Sequence, residues 1–398
     1  MSSIVPDLFE PRMAEAKLHV SFQRIRQDPA FAPVQSVIQS WAAGLLDRTG
    51  EGDKFVKEFQ STFNSAMWEL YLNKAMTDLG FEVDFSKAAP DFCVMTKAGY
   101  PFNIEAVISD RTIGGSGAGN PGELEFKTRS ALKLIGKLND KVRLYRGVNG
   151  KKTPYSSLDH VREVPFVVAI APFDSALSLT QNNELINLVL FGLGAPSHNA
   201  DNFGHQESIS KIQKKVGTDI DVGIFTNNSF KEISAVMFST TGTFGKAVIE
   251  SGIDRLVRSC RYRIIDRQDP RARNAAWSPR DSYLSLGPLG FLKRRRWKWG
   301  GDIIGMDVRI CSSTAHRETH LDGLHVYYNP YAEHPLDPKI FGPGEITHNF
   351  YDIASNQSRQ DHPDGALVSR QVHEPSKIAL ARILQSDGFL PNDLAGLV

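Results

Sequence analysis

Three carboxylates sit among apolar neighbours in the first third of this chain. Asp91 follows Pro90 at the head of Phe92-Cys93-Val94-Met95, and Glu105 lies between Ile104 and Ala106. Residues 88 to 109 read as two short strands joined by a Lys97-Ala98-Gly99-Tyr100 turn, with one acid to each strand. Glu69 adds a third acid from an upstream helical segment, beside the stripe through Ala66, Leu72 and Met76. Like charges brought to one point raise each other's pKa, so convergence of the three needs compensation. A divalent cation supplies it, and magnesium prefers carboxylate and carbonyl oxygens while keeping several waters.

The elements that must position these acids can be read from periodicity. Between Asp53 and Leu79, Phe55, Phe59, Phe63, Ala66, Met67, Leu70 and Tyr71 recur at steps of three and four, which predicts a helix with Gly80 past its end. Phe81 to Phe85 predicts a short strand ahead of the two acid-bearing ones. Ser109 to Gly122 is a Gly-rich loop without the spacing or lysine of a phosphate-binding fingerprint. A helix is expected from Glu123 to about Arg146, then a buried strand in VPFVVAIAPF and an apolar helix in NELINLVLFGLG. In the second half, DVGIFTNN and ISAVMFSTTG read as a hairpin, and HLDGLHVYYN as a strand. The expected organisation is a largely helical N-terminal extension over 1–52, an α/β core over 53–195, and a mixed α+β C-terminal region over 196–398.

Helix, three strands, helix and strand, with Pro90-Asp91 opening one strand and Glu105 on the next, resembles the PD-(D/E)XK, or restriction-endonuclease-like, nuclease superfamily over roughly residues 55 to 171. The resemblance implies an αβββαβ core with a mixed central sheet and metal-dependent hydrolysis of a nucleic-acid phosphodiester, DNA more than RNA. It also implies Asp91, Glu105 and Ala106 as ligands of Mg²⁺, with Mn²⁺ as a substitute, and Glu69 as the helix acid. The superfamily pattern has a lysine two residues after the second acid, where this chain has Val107. Some members carry an equivalent amine on the following helix, and here Lys133, Lys137 and Lys141 stand one turn apart. Lys137, the central one, is the expected replacement. Several later blocks are similar to those of a group of uncharacterised bacterial proteins, a setting that implies restriction or anti-phage defence. The alternative is a catalytically degenerate module that binds nucleic acid or a partner.

The net charge of +1 conceals an asymmetry: residues 255–298 hold thirteen Lys and Arg against three Asp, +10 locally and −9 elsewhere. Arg271, Arg273, Lys293, Arg294, Arg295, Arg296 and Lys298, interleaved with Trp277, Trp297 and Trp299, suit phosphate contact and base stacking. The competing reading is a surface paired with the acidic remainder. His316-Arg317-Glu318-Thr319-His320 departs from the zinc-protease signature because Arg317 stands where the general base should be; His316, His320 and Asp322 remain a zinc alternative. Three scattered cysteines form neither a disulfide framework nor a zinc cluster, and no secretory signal or membrane span is read. The expectation is a cytoplasmic protein that works on nucleic acid, away from membranes, as a homo-oligomer or with a partner subunit.

Overall fold

A computed structural model describes residues 6–47, 51–109, 123–148, 153–173, 182–197, 205–215, 217–266, 280–286, 290–299, 302–342 and 344–389. The chain is a mixed α/β protein built on an eight-stranded mixed sheet and a separate five-stranded antiparallel sheet.

The helical segment before the acids is two helices, α3 (Gly52–Ser61) and α4 (Phe63–Asp78), and not one. They part at Thr62, whose backbone leaves the helical region at φ −117°, ψ 47°. The periodicity survives because both helices turn their apolar residues to the same core: Phe55, Phe59, Phe63, Met67 and Leu70 belong to one buried cluster. α1 (Val20–Gln27) and α2 (Ala32–Trp41) join that cluster. At the end of α4, Gly80 takes φ +70°, a left-handed position where a Cβ would also strike the Lys97 side chain at 2.7 Å.

After α4 come β1 (Glu82–Val83), β2 (Phe92–Met95), β3 (Pro101–Ile108), α5 (Glu123–Arg146) and β4 (Phe166–Ala171). β1, β2 and β3 form an antiparallel meander, and β4 lies parallel to β3 after the α5 crossover. Strand alternation then sorts the faces. Phe102, Ile104 and Ile108 of β3, with Val167, Ala169 and Ala171 of β4, pack on the α4 side. Phe166, Val168 and Ile170, with Val107 at the margin, pack on the α5 side against Ala131, Leu134 and Leu138. β4 is buried at every position, as its unbroken apolar run requires.

The sheet does not stop at the boundary expected at 195/196. α6 (Glu184–Phe191) is followed by a small hairpin of β5 (Lys211–Lys215) and β6 (Thr218–Asp221). β7 (Ala235–Phe238) then lies parallel to β4, and β12 (His325–Tyr328), β13 (Thr347–Asp352) and β14 (Gln357–Asp361) complete the order β1-β2-β3-β4-β7-β12-β13-β14. The hairpin expected from DVGIFTNN is absent: Val222 to Asn228 turns, with Gly223 at φ +72°, and β7 pairs with β4 and β12. Apolar residues in a buried turn mimic a strand in sequence, and Val222, Ile224 and Phe225 are all buried.

The second sheet has the order β15-β8-β11-β10-β9, from β8 (Leu256–Asp266), β9 (Arg280–Ser285), β10 (Phe291–Trp299), β11 (Asp302–Ser312) and β15 (Leu367–His373). α8 (Lys377–Ser386) covers one face through Leu380, Ile383 and Leu384 against Leu256, Phe291 and Ile310. Among the described residues no helix is long and apolar enough to cross a membrane.

Between the two sheets, α7 (Phe244–Glu250) and the 313–324 loop make a polar junction. His320 spans it, with Nδ1 2.7 Å from Asp78 of α4 and Nε2 2.9 Å from Glu250 of α7. Trp41 donates its indole N–H to the same Glu250 oxygen at 2.8 Å. A neutral imidazole carries one N–H, so only the imidazolium satisfies both carboxylates as a donor. Burial works against that charge, but Asp78 and Glu250 outweigh it and raise the His320 pKa. A raised folded-state pKa stabilises below the unfolded value and loses that contribution as pH climbs through the folded one. The His320 contribution to thermal stability is therefore expected to shrink as pH rises from about 6.5, and His320→Asn to remove that part of the pH dependence. Identical slopes in melts of both proteins would remove His320 as the cause.

Candidate active site

Asp91 stands immediately ahead of β2, and Glu105 sits in the middle of β3. The last β2–β3 register pair is Phe92 with Ile104, so the two acids occupy the next positions along the pair. Phe92 and Ile104 face α4, which turns Asp91 and Glu105 toward α5. Asp91 Oδ2 accepts a hydrogen bond from the Ala106 backbone N–H at 2.7 Å. An extended residue points its N–H and C=O to the same side, so the Ala106 carbonyl also faces the Asp91 side, past the end of the β2 ladder.

Glu105 is only 5% exposed. Its Oε1 receives the Lys141 ammonium of α5 at 2.8 Å. Its Oε2 is buried with no hydrogen-bond partner among the described residues. A fourth side chain comes from a 3-10 turn, Tyr155–Ser157, packed on α5 and on Phe166, with the Tyr155 and Phe166 rings 6.2 Å apart. Burial raises the Tyr155 pKa, and the charges of Glu105 and then Asp91 push it further, so the phenol stays protonated within the field of both carboxylates.

The structure thus brings together Asp91, Glu105, Lys141 and Tyr155. Glu69 lies on α4, the helix of the opposite face, where its charge bears on Lys54 of α3. Lys137 is half-buried one turn before Lys141, and no ion pair is recorded for it among the described residues. One turn of helix advances about 5.4 Å, so the choice among three evenly spaced lysines depends on where α5 crosses β3, which spacing alone does not encode. Tyr155 was missed because it stands fifty residues from Glu105 in an irregular segment with no periodic pattern. The Gly-rich loop expected beyond Ser109 lies outside the described residues.

No family model, curated protein or solved structure matches this chain.

Its chemistry must therefore be read from the residues. Among the described residues no group of three or more His, Cys, Asp or Glu gathers as a metal centre. Two carboxylates, one presenting a buried acceptor without a partner, with a backbone carbonyl beside them, still suit magnesium, which takes one or two carboxylates and retains water. The zinc alternative does not assemble. His316 pairs with Glu318 at 2.9 Å, His320 with Asp78 and Glu250, and Asp322 with Arg261 at 2.6 Å, so the three diverge.

Among the described residues, most cations of the basic stretch are paired within the fold. Arg258 makes two bonds to Asp387, Arg295 makes two to Asp281, and Arg263 makes two to Asp364. Arg296 lies 2.7 Å from Asp307, and Lys293 donates to the Asp387 carbonyl. The partners Asp307, Asp364 and Asp387 lie outside residues 255–298, which is why a local count overstates the field. Arg294 is exposed, with no ion pair recorded among the described residues. Lys298 lies on β10, and Arg271 and Arg273 fall outside the described residues.

Proposed function

We propose that this protein is a metal-dependent nuclease that hydrolyses phosphodiester bonds, with DNA as the expected substrate. The observation that carries the reading is the Asp91–Glu105–Lys141 constellation: adjacent-strand carboxylates with an ammonium 2.8 Å from the second. The run α4-β1-β2-β3-α5-β4 supports it, because it has the order of a restriction-endonuclease-like αβββαβ core. Asp91, Glu105 and the Ala106 carbonyl would hold Mg²⁺, which supplies a polarised phosphoryl oxygen and a more acidic attacking water. Lys141, anchored on Glu105, offers its charge to the phosphate and a donor to the water. Tyr155 keeps its proton and can donate to a carboxylate or a phosphate oxygen. Arg294, exposed and without an ion pair among the described residues, remains open to a substrate phosphate.

The test is cleavage of supercoiled plasmid and of single-stranded DNA and RNA with Mg²⁺, Mn²⁺ or chelator, beside Glu105→Ala. Metal-dependent cutting that the variant loses is the expected result. Binding that weakens steeply with salt, with no cutting in any arm, would instead support a catalytically silent binding module.

A further inference from the structure

The segment from Tyr155 to His160 does more than close the connection between α5 and β4. His160 Nε2 lies 2.7 Å from the carbonyl oxygen of Ala89, two residues before Asp91. A carbonyl only accepts, so Nε2 carries the proton. The His160 carbonyl in turn accepts from the side-chain amide of Asn103 at 3.0 Å. Asn103 is 2% exposed and stands on β3 two residues before Glu105, on the same face. Asp91 Oδ2 then returns to β3 through the Ala106 N–H at 2.7 Å. The contacts form a closed circuit: β3 to His160, His160 to Ala89, the chain through Pro90 to Asp91, and Asp91 back to β3.

Each link has a distinct consequence. The first and last fix both ends of the circuit on one rigid strand. The His160–Ala89 link holds the irregular backbone before β2, which the ladder does not reach, since pairing ends at Phe92. It anchors the backbone two residues ahead of Asp91, alongside the Asp91 side-chain bond to β3. We infer that His160 is a positioning residue that fixes Asp91 opposite Glu105 and so sets the metal affinity of the pair. This rests on the metal-dependent reading above. Groups that orient a ligand from behind typically change metal affinity about 10–100-fold when lost.

The experiment measures Mn²⁺ binding to the full chain by calorimetry or electron paramagnetic resonance, without nucleic acid. His160→Phe keeps a ring and removes the donor; His160→Gln restores an N–H at similar reach; Asp91→Asn is the reference. The expected result is about 10–100-fold weaker binding in His160→Phe, substantial recovery in His160→Gln, and a loss in Asp91→Asn at least as large. Wild-type affinity in His160→Phe, with Asp91→Asn weakened, overturns the positioning role and leaves the metal site standing. Unchanged affinity in Asp91→Asn overturns the metal site and the positioning role with it. A second measurement needs no variant: ¹⁵N spectra of histidine-labelled protein at mildly alkaline pH are expected to show His160 as the Nε2–H tautomer. The Nδ1–H tautomer would also overturn the inference.

Discussion

Glu318→Ala is expected to cost about 3–5 kcal/mol of folding stability, the usual loss when one partner of a buried ion pair is removed. The Glu318 side chain is 1% exposed. Its Oε1 is 3.0 Å from Arg370 Nε, a close ion contact although not aligned as a hydrogen bond, and 3.6 Å from Lys246 Nζ. Its Oε2 meets His316 Nε2 at 2.9 Å. Burial alone would raise the Glu318 pKa, but Arg370, Lys246 and His316 outweigh it and hold the carboxyl well below the usual carboxylate range. Removing Glu318 strands two buried cations. Lys246 already titrates near 8 because burial works against its charge, with only partial relief from Glu318. Lys246 donates to the Thr319 and Asp322 carbonyls, and Arg370 reaches the Thr241 carbonyl from β15, so the cluster ties the second sheet to α7 and the 313–324 loop.

Urea unfolding of Glu318→Ala, Arg370→Met and the double variant Glu318→Leu/Arg370→Met checks this. Each single change should be strongly destabilising, and the double change should recover part of the loss, because replacing both charges leaves less stranded charge than removing one. A Glu318→Ala loss below about 1 kcal/mol, the range of an exposed pair, would mean that solvent reaches the cluster and that it does not hold the sheets together. Depressed carboxyl titration also has a sign: the Glu318 contribution is present above the ordinary carboxyl pKa and is lost as pH falls toward the depressed value.

What the sequence disclosed follows from how local each signal is. β3, β4 and α5 were legible because their burial patterns repeat within single elements: the six consecutive buried residues Phe166 to Ala171 and the Ala131-Leu134-Leu138 stripe need no distant partner to be seen. Asp91 and Glu105 were legible for the same reason, as acids in apolar strands joined by a short turn. The parts missed depend on contacts distant in sequence. The Thr62 break keeps the helical spacing on both sides. The 222–238 segment is apolar because it is buried, whether it turns or extends. Extension of the sheet through β7, β12 and β13 brings together residues 166 and 347, whose relation no window contains. The ion pairs of the basic stretch were illegible for the same reason, since Arg258 and Lys293 meet Asp387 about a hundred residues downstream.

Lys141 should produce the most diagnostic pair of effects, in opposite directions. Lys141→Met is expected to slow single-turnover plasmid cleavage in Mg²⁺ by about 10²–10³-fold, the range for losing one preorganised charged or hydrogen-bonding group from a transition state. Lys137→Met should leave the rate near that of the wild type, since Lys141 and not Lys137 contacts Glu105. The same substitution leaves Glu105, with 7% of its side chain exposed, as a buried carboxylate without its cation. The apo protein should therefore melt lower. A divalent ion bound at that carboxylate would supply the missing positive charge, so Mn²⁺ should raise the melting temperature more in Lys141→Met than in the wild type. Lys141→Met/Glu105→Gln removes both charges and should show neither the apo deficit nor the enlarged Mn²⁺ shift. A lysine with a purely structural role would lower stability in the same way, but cleavage normalised to folded protein would survive. A lysine acting only in catalysis would slow cleavage and leave the Mn²⁺ shift unchanged. Loss of cleavage together with a larger Mn²⁺ shift is the outcome that the 2.8 Å contact requires if Lys141 and the metal share one carboxylate.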